Sequence, residues 1–64
     1  MGTKIEFRVK QEKIDWEDTP VAITVEIDNL ANITDFANRL SKMSETKIRW
    51  NYKGCSQGHY VNAN

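Results

Sequence analysis

Cys55 and His59 stand four residues apart, and Asp15, Glu17 and Asp18 crowd one short segment; these side chains have the types and spacing that chemistry would need. A C-x-x-x-H pair supplies two metal ligands, whereas a structural zinc takes four, and no second pair is present for it to join. Cys55 has only His59 as a sequence-near base, which does not define an activated nucleophile, so an inert thiol is expected. Paired acids serve acid-base catalysis or ligate a hard cation, but no glycine-organised loop or further ligand set follows Asp18. The expectation is a solvated acidic turn, with no catalytic residue, no metal site, no cofactor and no enzymatic activity.

The other chemically pointed pattern is cationic. In "KIRWNYKG", Lys47, Arg49 and Lys53 alternate with Ile48, Trp50 and Tyr52; in "KIEFRVKQEK", Lys4, Glu6, Arg8 and Lys10 alternate with Ile5, Phe7 and Val9. If both segments are extended, successive side chains point to opposite faces, so Lys4, Arg8, Lys10, Lys47, Arg49 and Lys53 form one basic face. Like charges on adjacent strands repel. Either Glu6 within the patch and Glu26 and Asp28 on its flank neutralise it, or an anionic partner does. These six residues are the candidate partner-binding set.

The elements that must position them follow from periodicity. Residues 4–13 read as a half-buried strand, "IDWEDTP" as a turn or short loop, and "VAITVEID" as a second strand with Val21, Ile23, Val25 and Ile27 on one face. In "NLANITDFANRLSKMSE" the period changes, and Ile33, Phe36, Ala37, Leu40 and Met43 recur at helical spacing. Asn32 or Thr34 is the expected cap, with Asp35 near the start and Arg39 and Lys42 towards the end complementing the helix dipole. "TKIRWNYKG" is a third strand, "CSQG" a turn, and "HYVNAN" a short fourth strand or a tail.

A hairpin makes the first two strands antiparallel, and a right-handed strand-helix-strand crossover makes the third parallel to the second. Placing the first strand between them makes every neighbour antiparallel. The expected fold is therefore α+β, ββαβ(β), one small domain over residues 1–64, with an antiparallel sheet of three to four strands in order 2-1-3-4. One helix covers one face, with Ile48, Trp50 and Tyr52 beneath it.

Sixty-four residues bury only about 60% of their unfolded surface, so the core is thin. The single cysteine rules out an intrachain disulfide and suits a reducing compartment. No apolar run reaches the roughly 20 residues of a membrane span, and the first residues lack a secretory layout, so a soluble cytoplasmic protein is expected. Net charge is zero but segregated: residues 1–13 carry four basic and two acidic groups, 14–36 six acidic and none basic, 37–64 five basic and one acidic.

From Val25 to Asn64, "VEIDNLANITDFANRLSKMSETKIRWNYKGCSQGHYVNAN" resembles the first half of histidine-containing phosphocarrier (HPr-like) domains. The resemblance lies in a helix of the "A-x-x-F-A-x-x-L-S-K" kind, a strand ending in "Y-x-G" and a hairpin strand ending in "V-N-A-x". It implies a sheet in which the N-terminal strand here fills the slot that a later strand takes in the family. Phosphoryl-carrying members use a histidine in an "L-H-x-R-P" loop, where backbone N–H groups and the helix dipole favour an anion. The matching positions here are Leu30, Ala31, Asn32, Ile33 and Thr34, so carriage by that route is excluded. With no counterpart of the family's second and third helices, half of the inner sheet face is expected to lie bare.

A non-catalytic binding or regulatory protein is thus expected, acting through protein–protein contact with a partner or a second copy of itself. The alternative is nucleic-acid binding through the basic face. Zero net charge and the inward placing of Trp50 and Tyr52 argue against it, because single-strand binders set aromatic rings on a basic face.

Overall fold

Alternation of Ile5, Phe7 and Val9 with Glu6 and Arg8 builds strand β1, Thr3–Val9, in a computed structural model that describes residues 2–62. A connection containing one 3-10 turn, Trp16–Asp18, leads to β2, Ile23–Ile27. Helix α1, Leu30–Ser44, crosses to β3, Ile48–Tyr52, and a turn leads to β4, His59–Val61. Positions 63–64, the end of the expected fourth strand or tail, lie outside the described residues. The sheet order is β2-β1-β3-β4 with every neighbouring pair antiparallel, and α1 packs on one face. The α+β class and the 2-1-3-4 order are those expected from the sequence, the first strand lying between the second and third so that every neighbour is antiparallel. No helix among the described residues is long and apolar enough to cross a membrane.

The strands are shorter than their periodicity suggests. β1 stops at Val9 rather than Lys13, because the chain turns through Lys13 at φ 66° and Lys10 donates its Nζ hydrogen to the Ile14 carbonyl. β2 begins at Ile23, two residues past Val21, and the regular ladder of β3 covers only the centre of residues 46–54. The helix starts earlier than either expected cap allows. Asn29 is the N-cap, its side chain accepting from the Ala31 N–H at 2.9 Å, and Asp35 consequently lies beyond the first turn, paired with Arg39 at 3.2 Å.

The core joins Ile5 and Phe7 of β1, Ile48 and Trp50 of β3, and Ile33 and Ala37 of α1, with Phe36 and Leu40 packed against them. Phe36 meets Phe7 at a ring separation of 4.8 Å. Met43, expected inward, is 83% exposed. It lies roughly 80° around the helix from the face centred on Ile33, Ala37, Leu40 and Ser44. Ser41 holds the buried position instead, its hydroxyl donating to the Thr46 carbonyl at 2.7 Å.

The inner face is less bare than a one-helix sheet implies. Ile5, Phe7 and Ile48 are sealed, and Trp50 is 6% exposed because His59 stacks on it at 4.3 Å and Tyr52 meets it edge-on at 5.7 Å. Openings lie at the sheet's corners and along β2, where Val25 and Ile27 are only half-buried. Tyr52, expected in the core, is 36% exposed at one, and Ile23 is 43% exposed at the other.

Candidate functional site

The β1–β3 register decides what the outer face looks like. Arg8 stands directly opposite Arg49, and Glu6 opposite Asn51. The register continues at both ends, where the Lys53 N–H donates to the Lys4 carbonyl at 3.0 Å and the Lys10 N–H to the Lys47 carbonyl at 2.9 Å. All six sequence-derived cations therefore occupy one face as three opposed like-charged pairs, an arrangement that is unfavourable by itself.

Splaying relieves the central pair. Arg8 leans towards the β1–β2 connection, donating Nε to the Thr19 carbonyl at 3.1 Å and Nη1 to Asn51 Oδ1 at 2.7 Å. Arg49 leans the other way, donating Nη2 to the Ser56 carbonyl at 2.9 Å and lying 6.0 Å from the Tyr60 ring centroid. Asn51 is buried between them and donates Nδ2 to Glu6 at 3.1 Å and to the Tyr52 and Cys55 carbonyls. Glu6 thus reaches the patch through an amide rather than an ion pair. The one ion pair among the described residues is Asp35–Arg39, on the helix. Glu26 stands opposite Lys4 across β1–β2 without pairing with it, and accepts from the Gly2 N–H at 3.1 Å.

Two aromatic rings on this face were not legible as part of it. Trp16, from the acidic turn, folds back so that its ring lies 5.8 Å from that of Tyr60, with Lys10 Nζ at 5.6 Å from its centroid. Tyr60 pairs with Arg49 in the β3–β4 register. The available signal was a tryptophan in an otherwise polar turn: so large an apolar surface must find cover. Thr19 stabilises the turn, its hydroxyl donating to the Asp15 carbonyl at 2.8 Å.

Between these groups lies a cavity of about 440 Å³, lined by Arg8, Arg49, Asn51, Trp16, Cys55 and Ser56, with Glu6 and Glu17 also contributing. Cys55, a free exposed thiol, belongs to this side, whereas His59 stacks on Trp50 on the helix side. The C-x-x-x-H pair is thereby divided between the two faces. No group of three or more His, Cys, Asp or Glu among the described residues is placed to hold a metal ion. A second cavity, about 370 Å³, lies between β2 and α1 and is bordered by Glu26, Asp28, Asp35 and Arg39.

No family model matches this chain, and no curated protein or solved structure matches it.

Proposed function

We propose that this chain is a non-catalytic binding or regulatory protein of the cytoplasm that engages an acidic protein surface through the outer face of its sheet. The observation that carries the reading is the register: three cation pairs opposed across β1 and β3, with no ion-pair partner among the described residues. Arranging like charges this way costs stability, and complementary charge from a partner recovers it while steering association. The order of β2, α1, β3 and β4, with β1 between β2 and β3, supports placing the chain as a phosphoryl-incompetent relative of HPr-like domains. Self-association belongs to the same proposal. β2 is an edge strand with free backbone groups, the kind of element that pairs with another chain.

Nucleic-acid binding is the second reading, and the Trp16–Tyr60 pair favours it, because it sets two rings on the basic face. Immobilised wild-type chain and a Lys4→Gln, Lys47→Gln, Lys53→Gln variant, incubated with the same nuclease-treated and untreated extracts, separate the two. A protein retained only by wild type, and unaffected by nuclease, is the expected result. Retention that nuclease abolishes transfers the face to nucleic acid, and equal retention by the variant removes the face from the function.

A further inference from the structure

Resting on that reading of the outer face, we infer that the cavity between Arg8 and Arg49 receives one carboxylate side chain, an Asp or Glu within an acidic segment of the partner protein. A guanidinium carries five N–H donors. Arg8 has committed Nε–H and one Nη1–H, leaving three; Arg49 has committed one Nη2–H, leaving four, its Nε–H among them. Arg49 Nε is in addition buried with no hydrogen-bond partner among the described residues. Neither guanidinium pairs with Glu6 or Glu17, the two carboxylates in the lining of the cavity of about 440 Å³, so N–H donors of both arginines stand beside it without an acceptor among the described residues, and one further carboxylate brings two acceptor oxygens to two facing cations.

Both guanidiniums are held in place before any ligand arrives. Asn51 and the Thr19 carbonyl fix Arg8. Arg49 lies against the bare backbone of Gly58, where an added Cβ would fall 2.7 Å from Cζ, 2.8 Å from Nη2 and closer still to Nε. Only glycine leaves that resting place open, and the cost of ordering the side chain is met in the fold rather than on binding.

The occupant is a protein carboxylate rather than a polynucleotide for three reasons. Glu6 and Glu17 line the same cavity and repel any anion, so the two arginines offset one singly charged carboxylate there but not a run of phosphates. The Trp16 ring is half-buried against Tyr60 with Lys10 near it, so Tyr60, 56% exposed, is the one open ring of the pair, and successive bases of a strand have no row of rings to stack on. Zero net charge removes the broad positive field on which polyanion binding depends.

The test is a nuclear magnetic resonance titration of the whole chain with three probes: a hexaglutamate peptide, a short oligothymidylate and inorganic phosphate. Wild type is compared with Arg49→Gln, Gly58→Ala and, on the opposite side of the molecule, Arg39→Gln. Unchanged Ile5 and Ile33 amide signals, from the core and distant in sequence from each substitution, establish that each variant is folded. Hexaglutamate is expected to shift the Arg8 and Arg49 Nε–H and Trp16 indole signals saturably. Loss of one charge-assisted contact should weaken it about tenfold to a hundredfold in Arg49→Gln, less in Gly58→Ala, and not at all in Arg39→Gln. If the peptide moves only the surroundings of Lys4, Lys47 and Lys53, the cavity is not its seat while the face reading stands. Silence across the whole outer face overturns both. Tighter binding of oligothymidylate, or phosphate binding as strong as the peptide's, overturns the assignment to a protein carboxylate.

Discussion

Asn51 concentrates the outer face's polar bonding in one side chain. Its carbonyl oxygen accepts from Arg8, and its amide nitrogen donates to Glu6 and to the carbonyls of Tyr52 and Cys55, all with the residue 3% exposed. Replacing it by leucine keeps the volume and strands those partners. An Asn51→Leu variant should lose about 1–3 kcal/mol in urea denaturation, and its Arg8 Nε–H signal should broaden as the guanidinium comes free; an unchanged midpoint would show that water replaces the amide. Strand parity alone put Asn51 between Arg49 and Lys53 on the outer face. Its burial was not legible, because the cover comes from the turn at residues 54–56, and Gly54 at φ 88° turns the chain in a way that no two-residue period encodes. Strand parity likewise set Arg8 opposite Arg49, whereas Trp16, carried in by an irregular segment, was not legible beside them.

Elements follow their periodicities in kind and depart at their ends, where single hydrogen bonds decide. Helix α1 was legible from Ile33, Phe36, Ala37 and Leu40, yet its start belongs to Asn29, since an asparagine in extended conformation captures the Ala31 N–H one turn ahead of the apolar stripe. Its end is held by Glu45 in the left-handed region, φ 56° and ψ 34°, whose N–H donates to the Ser41 carbonyl. That position suits glycine, which adopts the conformation without a Cβ penalty. Glu45→Gly is therefore expected to stabilise the chain by up to about 1 kcal/mol, raising the thermal midpoint; a lowered midpoint would reveal a contact of the Glu45 side chain that outweighs the backbone strain. Beneath the helix, Trp50 supports β3 and β4 together through Ile48's strand, His59 and Tyr52. Trp50→Ala removes about 3–5 kcal/mol, which is comparable to the ~3–5 kcal/mol that a core of this size supplies. Circular dichroism should show the variant largely unfolded at room temperature, and a cooperative native-like melt would falsify the thin-core account.

At the scale of the whole molecule, the segregation of charge along the chain becomes segregation in space, with a cationic outer sheet face and an acidic cavity between β2 and α1. The acidic side borders the open edge of β2, and the composition of that edge permits a copy to pair with it. In an antiparallel β2–β2 ladder centred on Val25, Ile23 meets Ile27 and Thr24 meets Glu26, so the apolar residues share one face and Glu26 never opposes its own copy. Light scattering behind size exclusion should report a dimer. Thr24→Glu introduces two like-charged pairs into that ladder and should weaken the dimer by about 1 kcal/mol, whereas Thr24→Lys introduces two opposite-charged pairs and should strengthen it by a similar amount. Within the fold, position 24 faces Glu6 across β1, so monomer stability should move in the same directions by a few tenths of a kcal/mol, which a denaturation midpoint measured at low concentration separates from the dimer effect. Should wild type and both variants run as monomers at high concentration, β2 is a guarded edge and the acidic cavity beside it has another use; should the two variants shift the dimer in the same direction, the pairing is not centred on Val25.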